Sequence, residues 1–191
     1  MAIERWIIAG LGNPGRQYEQ TWHNSGYQVL DRIARQQKLS IDRIRFRSLT
    51  AEWQYEQTFC LLLKPLTYMN LSGEAVQAAS RYYQIPTERI LVVYDDIDLP
   101  LGALRNRMGG GPGTHNGMRS LISCLNTQDF PRIRIGIGPK PEQWDLADYV
   151  LSRIPAESAA EWDKTLNLAA ASVCTVIHEG IESAMRTFNK R

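Results

Sequence analysis

Four polar clusters contain the side chains of this 191-residue chain that are able to do chemistry. They are GLGNPG at positions 10–15 with the following Tyr18 and His23-Asn24, KPLTYMNLSG at 64–73, YDDIDLPLG at 94–102, and GGGPGTHNG at 109–117. A histidine acts as a base near neutral pH, and an aspartate can hold its imidazole in one tautomer. The asparagines at 13, 70 and 116 add uncharged amide donors and acceptors. Glycine loops let backbone N–H groups approach a substrate closely.

These residue types favour a hydrolysis in which a base activates water. No serine lies in a GxSxG turn, and no cysteine lies beside a histidine in the sequence, so a covalent acyl-enzyme is disfavoured. General-base catalysis contributes about 10²–10⁴ in rate. Stabilisation of the oxyanion adds about 10²–10³. Because an ester is already reactive, these two effects together suffice for ester hydrolysis.

Each cluster by itself also has a simpler structural interpretation. GLGNPG can be a tight turn after a strand, and it matches neither the Walker loop nor the GxGxxG spacing of dinucleotide sites. A single histidine such as His23 is more often a hydrogen-bonded structural residue. Asp95, Asp96 and Asp98 can cap a helix, shape a turn or bind a hard cation, which would need about six or more oxygen ligands. The cluster at 109–117 can be a flexible loop.

Composition places the chain in the ordinary globular range, with 43% hydrophobic and 22% charged residues. We expect residues 1–191 to form a single domain, since one core commonly serves a chain of this length. Cys60, Cys124 and Cys174 form no CxxC pair, which argues against a thiolate zinc site, a redox motif or a disulfide scaffold. We therefore expect no metal and no cofactor.

The charge and hydropathy of the chain bear on its partners and location. A net charge of +2 does not indicate nucleic-acid binding unless positive charge is clustered locally. No apolar stretch approaches the roughly 20 residues of a membrane span, and the N-terminal apolar run is too short for a secretory signal. We expect a soluble, cytoplasmic protein with no membrane contact.

Short apolar runs predict strands at Trp6–Ala9, Phe59–Leu63, Ile90–Tyr94 and Ile133–Ile137. A looser alternation at Arg45–Trp53 predicts a hairpin partner for the second of these, across a polar turn at residues 54–57.

Helical patterns fall between and after these strands. One contains Tyr27 and Ile33, one starts near Ser72 as an N-cap, and one follows the glycine cluster. The longest runs from Trp162 to Phe188, with Gly180 as a candidate interruption. We predict a single α/β domain with a twisted mixed, mostly parallel sheet and helices on both faces. Its polar clusters then lie beyond the carboxyl ends of the strands.

The four clusters, together with RIRIGIG at 132–138, resemble the successive signatures of bacterial peptidyl-tRNA hydrolases. They have the same order and spacing from Gly10 to Gly138. The resemblance implies hydrolysis of the ester between a peptide, or an N-blocked amino acid, and the 3′ end of tRNA, which recycles tRNA from prematurely released peptidyl-tRNA. It also implies a monomer without a metal or cofactor.

The resemblance implies roles for individual residues. His23 would activate water, Asp95 would hold its imidazole, and Asn13 would bind the peptide and help distinguish blocked from unblocked aminoacyl-tRNA. The remaining residues would line the groove for the peptide and the terminal adenosine, with His115 as a hydrogen-bonding partner: Tyr18, Tyr68, Met69, Asn70, His115 and Asn116. A basic patch for the tRNA acceptor stem would consist of Arg105, Arg107 and Arg134, with Arg119 and Arg132 as additions.

Thr114 stands where the family usually has glycine, and Pro112 precedes it. We therefore expect a loop stiffer than in the family, which would change the side-chain directions of the two residues that follow. The segment Lys140–Tyr149 is a candidate lid. The basic Arg45–Arg47 is interpreted as solvated surface.

Two other functions are compatible with parts of the pattern. A non-catalytic RNA-binding relative of the same fold, of the intron-splicing type, would bind tRNA without cleaving it. A metal-dependent peptidase or deaminase is disfavoured because neither HExxH nor CxxC is present.

Overall fold

A seven-stranded mixed sheet forms the centre of the molecule, which the computed structural model describes from residue 4 to residue 189. The strands are β1 Glu4–Gly10, β2 Arg43–Arg45, β3 Ser48–Tyr55, β4 Thr58–Pro65, β5 Ile90–Pro100, β6 Leu104–Arg107 and β7 Arg132–Gly138. Their order across the sheet is β2-β3-β4-β1-β5-β7-β6. The central strands β4, β1, β5 and β7 are parallel, whereas β2, β3 and β6 pair antiparallel at the two flanks.

Helices cover both faces of the sheet. They are α1 Ser25–Gln37, α2 Ser72–Tyr83, α3 Asn116–Leu125, α4 Leu146–Val150, α5 Ala159–Glu179 and α6 Ile181–Phe188. Helices α1, α5 and α6 share one hydrophobic core with the sheet, and α2 and α3 share a second core on the opposite face. The predicted fold class is confirmed.

The central strands are apolar along their length because both of their faces are buried. In β1, Ile8 packs into the core beside α1, whereas Ile7 packs into the core beside α2. Leu91 and Val92 divide in the same way in β5. This two-sided burial fixes the register of the strands that end at the polar clusters.

The predicted strands and helices all form, with four changes at their ends. The strand predicted at Ile90–Tyr94 continues to Pro100, so the third polar cluster lies within β5 and not beyond its carboxyl end. The predicted strand Arg45–Trp53 is interrupted at Phe46 and Arg47, both with φ of 52°, which form a two-residue turn between β2 and β3. The hairpin of β3 with β4 is confirmed, but its turn contains only residues 56 and 57. Ser72 is not an N-cap; it is the first residue of α2, and its hydroxyl donates to the Met69 carbonyl at 2.9 Å.

Gly180 separates the last two helices, as predicted. Its φ of 86° lies in the region that favours glycine, and α5 ends before it while α6 starts after it. Within residues 4–189, no helix combines the length and the apolar character that a membrane span requires.

A close approach at Gly26 places the first polar cluster against the sheet. A Cβ atom at this position would lie 2.2 Å from the Leu11 nitrogen and 2.3 Å from the Val93 carbonyl oxygen, so only glycine fits. The start of α1 therefore sits directly on Leu11, which follows β1, and on Val93 within β5. His23, three residues earlier in a short 3-10 turn at Trp22–Asn24, lies beside Asp95 of β5.

Candidate active site

A crevice of about 840 Å³ opens beyond the ends of the parallel strands β1 and β4 and beside residues 94–98 of β5. Of the residues assigned to a site from the sequence, all except Arg105 and Arg119 line it: Asn13, Tyr18, His23, Tyr68, Met69, Asn70, Asp95, Arg107, His115, Asn116, Arg132 and Arg134. The four clusters, far apart in the chain, thus share one cavity. The glycine-rich segment and part of α4 complete its walls.

A buried carboxylate joins two imidazoles at the floor of the crevice. The side chain of Asp95 is 2% exposed. His23 Nδ1 lies 3.1 and 3.0 Å from the two Asp95 oxygens, and His115 Nε2 lies 3.1 Å from Asp95 Oδ1. The centres of the two imidazole rings are 4.8 Å apart. We call His23, Asp95 and His115 the triad.

The hydrogen bonds define the proton positions in the triad. The backbone N–H of Met118 donates to His115 Nδ1 at 3.3 Å, so the proton of a neutral His115 is on Nε2 and is donated to Asp95. His23 donates from Nδ1 to the same carboxylate. This tautomer leaves the Nε2 lone pair of His23 available to accept a proton.

Burial and the shared carboxylate shift the three pKa values. Burial alone would raise the pKa of Asp95, but the two imidazoles outweigh it and hold this pKa well below its usual range. Burial alone would lower the pKa of His23, but the charge and hydrogen bond of Asp95 raise it above the ordinary value. The pKa of His115 is lowered, because its burial outweighs the attraction of Asp95.

The triad is also the most compact group of possible metal ligands in the part of the chain that the structure describes. The three ligand atoms lie within 4.8 Å of one another. Hydrogen bonds within the triad already explain this spacing, since each imidazole has a proton to share with Asp95. The expectation that no metal is needed remains a prediction.

Asn24 is a site residue to which sequence reasoning gave no role. Its side-chain amide accepts from the Asn13 N–H at 2.9 Å and donates to the Asn13 carbonyl at 2.9 Å. Asn13 Oδ1 in turn accepts from the Met69 N–H at 2.9 Å. The first two bonds fix the Asn13 backbone, and the third fixes its side chain with the acceptor occupied and the NH₂ group available to the crevice. The HN pair at 23–24 was the only signal in the sequence.

The glycine-rich loop is anchored from below by Arg132. This side chain is 1% exposed, and each of its three guanidinium nitrogens donates to a backbone carbonyl, including that of Gly110 at 2.7 Å. Its donors thus hold the protein's own loop, which differs from the tRNA contact expected for it. Gly113 takes a φ of 55° directly before Thr114. The departure at Thr114 therefore does not prevent His115 from reaching Asp95.

Four arginines form a two-by-two grid on β6 and β7. Arg105 lies opposite Arg134, and Arg107 lies opposite Arg132. Directly opposed residues of paired strands share a face, so the grid is a concentration of positive charge. Arg134 forms an ion pair with Asp96. Within residues 4–189, neither Arg105 nor Arg107 has a carboxylate partner.

The remaining basic residues named from the sequence bind their own surroundings. Arg119 donates to Asn116 Oδ1 at 3.1 Å and to the Gly113 carbonyl at 3.3 Å. Arg45 lies over the Tyr82 ring at 5.0 Å and pairs with Glu52. These contacts make Arg119 a support of the crevice wall and Arg45 a structural surface residue.

The candidate lid lies at the rim. Leu146 and Ala147 of α4 line the crevice, and Lys140 Nζ donates to the Pro141 carbonyl at 2.9 Å. The segment is placed to cover a bound substrate, and its role as a lid remains a prediction.

Comparison with known proteins gives a consistent result. The family model described as peptidyl-tRNA hydrolase matches residues 7–191. The peptidyl-tRNA hydrolase of Caldanaerobacter subterraneus is 48% identical over 184 residues, covering 96% of this chain and 99% of the relative. That of Carboxydothermus hydrogenoformans is 47% identical, covering 97% and 98%. The crystal structure of peptidyl-tRNA hydrolase from Acinetobacter baumannii superposes with a TM-score of 0.90 at 33% identity, covering 96% and 94%.

The contacts of the triad predict how the pKa of His23 depends on the charge of Asp95. His23 should titrate above pH 6.5 because Asp95 stabilises its charged form. In Asp95→Asn, burial then dominates and the His23 pKa should fall below 6.5. Proton NMR of the imidazole C–H signals measures both values. Asp96→Asn is the matched control and should leave the His23 value above 6.5. A His23 pKa that Asp95→Asn does not lower would contradict the assignment.

Proposed function

This chain belongs to the peptidyl-tRNA hydrolase family and has its activity, and we propose that His23 is the general base for cleavage of the peptide–tRNA ester. The observation that carries this proposal is the triad. It holds one imidazole with its Nδ1 proton on a buried carboxylate and its Nε2 free at the floor of a crevice. This is the arrangement that a water-activating base requires.

The proposed reaction has two proton transfers. His23 Nε2 takes a proton from water as the water oxygen attacks the ester carbonyl carbon. The tetrahedral intermediate then collapses, its bond to the tRNA ribose oxygen breaks, and that oxygen receives the proton from the His23 imidazolium. Asp95 stays ionised and stabilises the imidazolium between these steps.

Asn116 is the proposed donor to the oxyanion. It is the first residue of α3, and its Oδ1 accepts from Arg119 Nη1 at 3.1 Å. Because the acceptor is occupied, its Nδ2 donors are available to the crevice. An amide donor at a helix N-terminus favours negative charge on the carbonyl oxygen.

Asn13 is proposed to read the blocked amino group. Its Nδ2 is a donor suited to the carbonyl that an N-acyl group or a peptide has and that a free aminoacyl-tRNA lacks. A site built to donate this bond loses it with the unblocked substrate, which leaves a polar group unpaired and disfavours that substrate. The distinction would protect the aminoacyl-tRNA used in translation.

Three arginines of the grid, Arg105, Arg107 and Arg134, are the proposed contact for the tRNA acceptor stem. Arg105 and Arg107 have no acidic partner among the described residues, and a guanidinium donates two parallel hydrogen bonds to phosphate. Arg134 is held by Asp96 through Nε, which leaves its Nη groups for a phosphate. Contacts to the backbone and the 3′ end suit an enzyme that accepts many tRNAs. A cytoplasmic, monomeric enzyme remains our expectation.

The first test compares His23→Ala with the unaltered protein on N-acetyl-aminoacyl-tRNA. We expect kcat to fall by about 10²–10⁴ because the base is lost, while tRNA binding persists. His178→Ala, an exposed histidine remote from the crevice, is the matched control and should be fully active. Release of the labelled amino acid gives kcat, and fluorescence anisotropy with deacylated tRNA gives binding. Unchanged turnover in His23→Ala would show that His23 is not the base. If the unaltered protein binds tRNA but does not cleave the ester, the result would favour a non-catalytic RNA-binding relative.

Asn13→Asp tests the discrimination. This variant keeps the acceptor for the Met69 N–H but replaces the NH₂ donor by a carboxylate oxygen. We expect kcat/KM on N-acetyl-aminoacyl-tRNA to fall. The ratio of this kcat/KM to that on free aminoacyl-tRNA should decrease by about tenfold or more, because a carbonyl left without its donor costs about 1–3 kcal/mol. Parallel assays on the two substrates give the ratio. An unaltered ratio would leave Asn13 without this role.

The double variant Arg105→Ala/Arg107→Ala tests the tRNA contact. It should raise KM for full peptidyl-tRNA but not for a short CCA-end ester that lacks the acceptor stem. The log–log dependence of binding on salt should become shallower by about 0.7–0.9 for each phosphate that the variant no longer binds. Arg43→Ala, at the opposite edge of the sheet, is the matched control. Equal losses on both substrates would assign the two arginines to structure.

A further inference from the structure

The strand that carries Arg105 and Arg107 is the outermost one on its side of the sheet. β6 contains only residues Leu104–Arg107 and pairs with β7 alone. The outer side of an edge strand presents backbone N–H and C=O groups with no strand to bind them. The positions of the two arginines therefore depend on a backbone that, within the sheet, is hydrogen-bonded only to β7.

Asn189, just after α6, supplies the missing support. Its Oδ1 accepts from the Asn106 N–H at 2.6 Å, and its Nδ2 donates to the Asn106 carbonyl at 2.9 Å. One side-chain amide thus satisfies both outward backbone groups of Asn106, as a neighbouring strand would.

The side chain of Asn106 is held by the same C-terminal helices. It is fully buried; its Oδ1 accepts from Ser172 Oγ at 2.8 Å, and its Nδ2 donates to the Ala184 carbonyl at 3.4 Å. Because side chains alternate along a strand, Arg105 and Arg107 project from the other face. Residue 106 is therefore fixed by α5, α6 and Asn189, and its two neighbours face the tRNA side.

The arginine grid makes this support necessary. Like charges directly opposite each other weaken strand pairing, and here Arg105 faces Arg134 while Arg107 faces Arg132. Asp96 offsets one of the four charges through its pair with Arg134. A four-residue strand with this repulsion on one side needs hydrogen bonds on the other to keep its position.

We propose that Asn189 is a positioning residue for tRNA binding: its amide holds the Asn106 backbone and so directs Arg105 and Arg107 at the tRNA phosphates. The inference rests on the proposed role of these arginines. It adds a residue that lies outside the crevice and touches no substrate. Asn189 acts on the affinity for the tRNA body and not on the chemical step.

The experiment measures Asn189→Ala on full peptidyl-tRNA and on the short CCA-end ester. We expect KM for full peptidyl-tRNA to rise about fivefold, an effect equivalent to about one net hydrogen bond. The kcat and the KM for the short substrate should be unchanged. The salt dependence should become shallower. Thr187→Ala, an exposed position at the end of the same helix, is the control and should behave as the unaltered protein. Asn189→Gln keeps a neutral amide that can bind both Asn106 backbone groups and should show a smaller rise in KM, so the test does not depend on one variant folding.

A second arm places Asn189→Ala in the Arg105→Ala/Arg107→Ala background. If Asn189 acts through these arginines, it should cause no further change in KM there. The same additional loss in both backgrounds, an equal loss on both substrates, or no change in KM would overturn the inference. If the double-arginine variant alone binds tRNA normally, the proposed contact fails first, and this result is distinct from a failure of Asn189.

Discussion

The buried carboxylate of Asp95 is the interaction on which the site depends. A carboxylate that is 2% exposed is costly unless donors surround it. Two imidazoles donate to it, those of His23 and His115, which lie 92 positions apart in the sequence. Because Asp95 lies within β5, the sheet itself brings the carboxylate to the point where the two imidazoles meet. Packing of the start of α1 and of α3 on the sheet therefore also assembles the triad.

The same interaction determines which proton can move. The Met118 N–H fixes the His115 tautomer, His115 and His23 each donate one N–H to Asp95, and the Nε2 of His23 remains as the acceptor. The pKa of His23 is thus raised above the ordinary imidazole value by a carboxylate that also accepts from His115.

Much of this could be predicted from the sequence, because buried strands and amphipathic helices leave periodic patterns. The first two polar clusters follow the parallel strands β1 and β4, so their meeting at the carboxyl ends of these strands was predictable. The third cluster lies within β5 and the fourth follows the antiparallel β6, so their positions could not be predicted from the parallel order. The turn at Phe46 and Arg47 could not be predicted, since it lacks the Asn-Gly pair that usually marks φ > 0 at both positions. Side-chain amides that bind a distant backbone, such as Asn189 on Asn106, leave no periodic signal, and only the three-dimensional structure reveals them.

Two asparagines support the site in the same way, and their chemistry explains the choice. Asn24 binds both backbone groups of Asn13, and Asn189 binds both backbone groups of Asn106. A carboxylate could accept but not donate, and it would add a charge beside the base or beside the arginine grid. A neutral amide provides both bonds and leaves the local field unchanged. Uncharged groups thus set the geometry at Asn13 and Asn106, while Asp95 and Asp96 supply the negative charge beside His23 and beside Arg134.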